Sequence, residues 1–164
     1  MPQVIHLRLA RLADTRQIAL MSRDQIEMGL AWRWTPSRVA EQIHCPDTVV
    51  LIAGDQKAIA GFAIMYFGEE IAHLNLLAVK ESHQRLGIGS RLLNWLEESS
   101  IVAGVATVEL EVRARNRGAH AFYKSLGYEE VRLLPGYYSG RESAIQMARF
   151  LRMSEGLNEW LRHR

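Results

Sequence analysis

The chain has 164 residues, of which 48% are hydrophobic and 23% charged. These values are close to the average for globular proteins, so they exclude a largely disordered or low-complexity chain, and the length suits one domain. Twenty basic and eighteen acidic residues leave a net charge of +2. So small an excess is a weak basis for nucleic-acid binding, and no nucleic-acid partner is expected.

Cysteine content and hydrophobic runs narrow the class further. The single cysteine, Cys45, excludes an internal disulfide, and no set of ligands at metal-binding spacing is found, so no metal is expected. The first twelve residues contain Arg8 and Arg11 and do not resemble a signal peptide. No stretch approaches the ~20 apolar residues of a membrane span. A soluble, cytoplasmic protein without a membrane partner is expected.

Periodicity and turn residues predict a sequence of short elements in chain order. The first half contains a strand at 4–9, a helix at 14–29 with Asp14 as its N-cap, an aromatic loop at 30–35, a helix from Pro36 to about Cys45, and strands at 48–53, 58–67 and 71–79. The second half contains a helix at 90–101, a strand at 106–112, a helix at 119–126 closed by Gly127, and strands at 128–134 and 143–150 around a turn at 135–140. This order predicts an α/β domain over residues 1–150, with a mixed sheet and helices on both of its faces. Residues 151–164 are expected to form a C-terminal tail with helical spacing of its apolar residues.

The segment from Leu77 to Arg91 carries the clearest chemical pattern. An apolar strand leads into a loop that contains Gly87 and Gly89, and a helix follows. The N-terminus of a helix offers unpaired N–H groups and a partial positive charge, and glycines let an anion approach the backbone. The segment therefore indicates pyrophosphate binding. It lacks the third glycine of a dinucleotide fingerprint and the lysine of a P-loop, and a plain connecting turn is the alternative.

A second group of polar residues lies further along the chain. Glu109, Glu111 and Arg113 alternate with apolar residues and so share one face of a strand. A carboxylate next to another one is a candidate general base, although a solvated face or a Glu111–Arg113 ion pair would explain the same pattern. Tyr123, on the next helix, is either a packing residue or a proton donor. Asn116 has the position of a helix N-cap.

Both segments resemble the GNAT superfamily of acetyl-CoA-dependent N-acetyltransferases. The pattern Gln84-x-x-Gly87-x-Gly89 is similar to the loop that binds the pyrophosphate of acetyl-CoA. The run from Leu110 to Tyr128 is similar to a second signature, most of all in the branch that acetylates the N-terminal alanine of a ribosomal protein. The resemblance covers about residues 4–149. It implies the fold of that family, with a mostly antiparallel central sheet, and acetyl-CoA as cosubstrate.

The resemblance also implies roles for residues at matching positions. Glu111 matches a general base and Tyr123 a general acid. His73 matches a strand residue that helps relay the amine proton in some relatives, a structural histidine being the alternative. The cofactor-binding residues implied are Leu77, Ala78, Val79, Gln84, Arg85, Leu86, Gly87, Ile88, Gly89, Ser90, Asn116 and Tyr123. The acceptor-binding residues implied are Trp34, His73, Tyr137 and Tyr138.

The expected function is direct attack of a primary amine on acetyl-CoA. The acceptor is either a protein N-terminal amine or a small-molecule amine, because two departures from the branch, at Trp32–Pro36 and at Glu142-Ser143-Ala144, fall in acceptor-binding loops. A non-catalytic acetyl-CoA sensor is the alternative from another class. The acyl chain length, a homodimer, and a share of the base role for Glu109 or His73 are left open.

Overall fold

The structure is a computed structural model that describes residues 4–151. In this part of the chain lie β1 (His6–Leu9), α1 (Thr15–Met21), α2 (Pro36–His44), β2 (Thr48–Gly54), β3 (Ile59–Phe67), β4 (Ile71–Val79), α3 (Ile88–Val102), β5 (Thr107–Arg113), α4 (Arg117–Ser125), β6 (Glu129–Tyr138) and β7 (Glu142–Phe150). The strands of the described residues form one sheet in the order β1-β2-β3-β4-β5-β7-β6. The β4–β5 pair is parallel, whereas β1–β2, β2–β3, β5–β7 and β6–β7 are antiparallel. The predicted α/β class, with its mostly antiparallel sheet, is confirmed.

Two compact units divide the chain. The first contains the residues up to Tyr66 together with Leu74–Leu96, and the second contains Phe67–His73 and the residues from Glu97 onward. Strand β4 therefore contributes residues to both. The extent of a single domain over residues 1–150 stays a prediction, and residues 152–164 of the predicted tail lie outside the described part. None of the helices within residues 4–151 is long and apolar enough to cross a membrane.

In the first unit, helices cover both faces of the sheet, as predicted. One face packs against α1 and α2 through a cluster of buried side chains: Ile18, Ala19, Met21, Trp34, Val39, Val50, Ile52, Ile59, Phe62, Ile64, Leu76 and Ala78. On the other face, Ile88 at the start of α3 lies against Gly61. A Cβ atom at Gly61 would be 2.9 Å from the carbonyl oxygen of Ala78 and 3.4 Å from Cγ2 of Ile88. Glycine at this position therefore permits the close approach of β3, β4 and α3.

The predicted helix at 14–29 is shorter than expected, since α1 ends at Met21. Asp14 occupies its N-cap position as predicted, but the Asp14 side chain makes no capping hydrogen bond. The carboxylate of Asp14 instead accepts hydrogen bonds from the guanidinium of Arg8 at 2.7 and 2.9 Å and from the N–H of Arg11 at 2.7 Å. After Met21 the chain widens into a π-helical turn at Ser22–Ile26. The buried carboxylate of Glu27 then accepts hydrogen bonds from the hydroxyl of Ser22 and from the N–H groups of Arg33 and Trp34. Hydrogen bonds of the Glu27 side chain with the following loop thus take the place of the last turn of the predicted helix.

In the second unit, the turn predicted at 135–140 is present but narrower, since it begins at Ser139. Strand β6 continues through Pro135 to Tyr138, which pairs with Glu142 of β7. The strand register shifts between Leu134 and Tyr138, and this irregularity accommodates Pro135 and Gly136. Tyr137 and Tyr138 are therefore strand residues. Helix α4 begins two residues earlier than predicted, since Asn116 caps it by accepting a hydrogen bond from the N–H of Ala119 at 3.1 Å.

Candidate active site

The predicted phosphate loop connects β4 to α3 in the first unit. Arg85 and Gly87 both have positive φ angles, of 64° and 79°. A positive φ is uncommon at arginine, and such strained residues concentrate at functional sites. A Cβ atom at Gly87 would meet nothing within 4 Å, so the backbone there is open to a ligand. The loop leads into a helix of 15 residues, whose N-terminus suits the negative charge of a pyrophosphate.

Gln84 and the end of β4 give this loop its shape. The side-chain N–H of Gln84 donates to the carbonyl oxygen of Val79 at 3.1 Å, which ties the loop to the strand. The parallel ladder between β4 and β5 covers Ile71, Ala72 and His73. The segment 77–79, predicted to bind the cofactor, lies beyond that ladder. The Ala78 side chain is buried in the core, so Ala78 presents its main chain alone.

In the second unit, Glu111 is paired with His73. Nε2 of His73 lies 2.5 Å from Oε2 of Glu111, and their side chains are 33% and 11% exposed. An ionised carboxylate only accepts hydrogen bonds, so Nε2 is the donor when Glu111 is ionised. The alternative of a Glu111–Arg113 ion pair is wrong, since Nη1 of Arg113 binds Glu142 at 3.0 Å. The pair joins two strands that are neighbours in the sheet.

Tyr123 is buried on α4, where it is 7% exposed. Its ring makes edge contacts with Phe122 at 5.1 Å and with Tyr128 at 5.7 Å between centroids. Burial, and in smaller part the neighbouring Tyr138, raises the pKa of Tyr123 above its ordinary value. Its hydroxyl is therefore protonated throughout the physiological range, as that of an ordinary tyrosine is, and burial makes it a weaker acid.

The paired tyrosines of β6 lie in the same unit. Tyr137 is 49% exposed and meets Tyr138 edge-on, with 4.9 Å between ring centroids. Burial raises the pKa of Tyr138 to about 12, and smaller contributions come from Tyr137 and from the charge of Glu111. The guanidinium of Arg113 lies 5.9 Å from the centre of the Tyr138 ring. Tyr138 thus belongs to the same electrostatic neighbourhood as Glu111.

Trp34 has a different environment from the other predicted acceptor residues. It is 9% exposed and belongs to the core cluster of the first unit. The guanidinium of Arg38 covers its ring at 3.9 Å from the centroid. Packing accounts for this residue, and its role in acceptor binding stays a prediction.

The sequence analysis missed two polar residues near Glu111, Gln146 on β7 and Arg132 on β6. Gln146 of β7 lies directly opposite Glu111 in the strand register, and it is 8% exposed. Its Oε1 accepts a hydrogen bond of 2.9 Å from Nε of Arg132 on β6. The sequence signal for Gln146 was its position as a single polar residue within the apolar run of the last strand. That run does not show which neighbouring strand Gln146 faces. Within residues 4–151, no group of three or more His, Cys, Asp or Glu side chains is arranged to hold a metal ion.

Comparison with known families agrees with this arrangement of strand, loop and helix. The model of the Acetyltransferase (GNAT) family matches residues 15–128, which is most of the chain. This chain belongs to the GNAT acetyltransferase family.

Individual relatives show which members of the family this chain resembles. The [ribosomal protein bS18]-alanine N-acetyltransferase of Escherichia coli K12 is 44% identical over 93 residues, which are 55% of this chain and 63% of that protein. The matched part is thus less than two thirds of the relative's length. The crystal structure of the E. coli ribosomal-protein-S18-alanine N-acetyltransferase has a TM-score of 0.75 at 30% identity, covering 90% of this chain and 94% of that one. Arabidopsis thaliana NAA60 in complex with acetyl-CoA has a TM-score of 0.78 at 21% identity, covering 90% and 98%, and shows the fold alone.

Proposed function

We propose that this protein transfers the acetyl group of acetyl-CoA to a primary amine, and that the acceptor is the N-terminal amine of a protein. The observation that carries the proposal is the contact between His73 and Glu111 at 2.5 Å, in a chain of the GNAT family. A protein acceptor is supported by the similarity to an enzyme named for the alanine of ribosomal protein bS18. Acetyl-CoA is supported by the membership of this chain in the GNAT acetyltransferase family.

The residues of the first unit fit the cosubstrate. Main-chain N–H groups of Arg85–Ser90 and the start of α3 would hold the pyrophosphate, because this backbone is open and leads into a helix. The main chain of residues 77–79 would pair with the pantetheine arm. Asn116 and Tyr123, the other cofactor-binding residues that the family resemblance implies, belong to the second unit. Acetyl-CoA supplies the thioester that the amine attacks.

The residues of the second unit supply the proton transfers. An N-terminal amine arrives largely protonated and must lose a proton before it attacks. The carboxylate of Glu111 takes that proton, directly or through a water, while the N–H of His73 holds the carboxylate in place. The hydroxyl of Tyr123 donates a proton to the departing thiolate of CoA. The hydroxyl of a tyrosine is protonated at neutral pH, so it holds the proton that this step requires.

Calorimetry and a thiol-release assay test the proposal together. Acetyl-CoA is titrated into the protein with dephospho-CoA and NAD as controls, and CoA release is then followed with an alanine-initiated peptide. Glu111→Gln and Tyr123→Phe are each expected to lower kcat by about 10²- to 10⁴-fold and to leave acetyl-CoA affinity unchanged. Full activity of both variants would contradict the assigned roles. Binding without turnover of any amine would favour the sensor instead.

The same assay separates a protein acceptor from a small amine. Tyr137 is 49% exposed beside the half-buried Tyr138, so its ring is available to a peptide. We expect Tyr137→Ala to raise KM for the peptide several-fold while KM for acetyl-CoA stays the same. Turnover of spermidine but not of any peptide would identify a small-molecule enzyme. A cytoplasmic location and a homodimer also belong to the proposal, and light scattering of the purified protein would test the dimer.

A further inference from the structure

One polar side chain in the second unit is buried between two alanines of its own strand. Gln146 lies between Ala144 and Ala148 on the same face of β7, and all three are at most 8% exposed. Burying an amide among methyl groups costs free energy unless its polar atoms are hydrogen-bonded. The Oε1 atom of Gln146 meets this need through Nε of Arg132, at 2.9 Å.

This hydrogen bond determines the direction of the amide. An arginine side chain has no acceptor atom, so the atom of Gln146 that faces Arg132 must be the oxygen. The amide NH2 group then faces away from β6. Strand β7 lies between β6 and β5, so the NH2 group is on the side of β5.

Glu111 is the residue of β5 that lies directly opposite Gln146. Directly opposed residues of an antiparallel pair share a face, with Cβ atoms about 4.5–5.5 Å apart. The carboxylate of Glu111 is already held on its other side by His73 of β4. The side chains of His73, Glu111, Gln146 and Arg132 therefore form a row across β4, β5, β7 and β6.

We propose that Gln146, oriented by Arg132, is a positioning residue that holds the carboxylate of Glu111 for proton abstraction. The inference rests on the proposed function and names a part of its machinery that the sequence did not indicate. The hydrogen bond to the Glu111 carboxylate in this structure comes from His73. An amide donor on the opposite side, supplied by Gln146, would restrict the rotamers of the carboxylate further. Donors to a carboxylate also favour its ionised form, which is the form that accepts the proton of the amine.

Other charged groups face Glu111 as well, and the test must separate their effects from that of Gln146. The charged or titratable groups are His73 on β4, Glu109 and Arg113 on β5, Glu142 on β7, and Arg132 and Tyr138 on β6. All of them remain when Gln146 alone is changed. A shift of the pH–rate profile in that variant is then due to the lost amide.

The experiment is the pH profile of kcat/KM for Gln146→Met, which keeps the volume and removes the amide. We expect the acid side of the profile to move to higher pH by about half a unit to one unit, and kcat to fall roughly tenfold. KM for acetyl-CoA should stay the same. A wild-type profile, even with a lowered melting temperature, would show that Gln146 serves packing only and would overturn the inference.

Arg132 provides two further variants that do not disturb the core, since its side chain is exposed. Arg132→Met removes the group that orients the amide and should move the profile in the same direction. Arg132→Lys retains a donor for Oε1 and should restore the wild-type profile. If Arg132→Met and Arg132→Lys have the same pH profile of kcat/KM, the proposed role of Arg132 in orienting the amide is contradicted. Full activity of Glu111→Gln would refute the proposed function itself. If Glu111→Gln is inactive and Gln146→Met has the wild-type pH profile, only this inference is refuted.

Discussion

A double-mutant cycle on His73 and Glu111 tests whether the two residues act as one unit. Their contact of 2.5 Å joins a side chain that is 33% exposed to one that is 11% exposed. A hydrogen bond to a charged group contributes about 1.5–3 kcal/mol, and solvent screening at the half-exposed imidazole lowers this to about 1–2 kcal/mol. His73→Gln is therefore expected to lower kcat about 5- to 30-fold.

The second half of the cycle gives the decisive comparison. Glu111→Gln should lower kcat by about 10²- to 10⁴-fold, because it removes the base. If His73 acts only by supporting Glu111, adding His73→Gln to Glu111→Gln should change kcat little further, and the effects should be strongly non-additive. The assay is CoA release at saturating acetyl-CoA, with cosubstrate affinity checked by calorimetry.

The chain offers a matched control for this cycle. His120 and Glu130 form a second histidine–glutamate pair in the same unit, with 2.7 Å between Nε2 and Oε1, and it lies outside the proposed site. His120→Gln and Glu130→Gln should leave kcat unchanged, singly and together. Additive losses at His73 and Glu111, or a wild-type rate for His73→Gln, would refute the idea of a coupled pair.

Three further predictions concern stability. The Arg8 guanidinium holds the pKa of Asp14 below its ordinary value of 3.8, so its stabilisation is present above that pH and is lost as the pH falls through the lowered pKa. Asp14→Asn should therefore cost about 1–3 kcal/mol in urea unfolding at pH 7 and progressively less below pH ~4, and a cost independent of pH would contradict this. Gly61→Ala should lower the free energy of unfolding by about 1–3 kcal/mol, because its Cβ atom would be 2.9 Å from the Ala78 carbonyl oxygen. Gly118→Ala is the control, since the nearest atom to its Cβ would be 3.8 Å away. Equal melting temperatures of the Gly61→Ala and Gly118→Ala variants would refute the crowding at Gly61. Glu27→Gln should cost about 1–3 kcal/mol in the same denaturation assay, because the amide has one acceptor atom for donors that now share two carboxylate oxygens; an unchanged midpoint would show that the loop is held otherwise.

The errors of the sequence-based prediction have a common physical origin. Strands such as β3 and β4 were placed within a residue of their true bounds, because their apolar runs are continuous and their ends carry turn residues. The start of the turn at 135–140 was placed too early because proline and glycine normally interrupt a strand, whereas here pairing with β7 continues beyond them. The end of α1 was misplaced because Glu27 binds N–H groups of Arg33 and Trp34, and such contacts leave no periodic signal.

The sequence by itself determined the class of fold and identified the glycine loop, Glu111 and Tyr123 as candidates. The glycine loop is a local pattern, since it carries its chemistry within a few residues. For Glu111 and Tyr123 the local pattern left alternatives open, and the resemblance to the GNAT superfamily indicated their roles. The tertiary structure alone decided that Glu111 binds His73, 38 residues away, rather than its near neighbour Arg113, and that it faces Gln146 of β7. Strand register sets these partners, and register follows from the packing of the whole sheet, because a slip of one residue would turn every side chain to the opposite face.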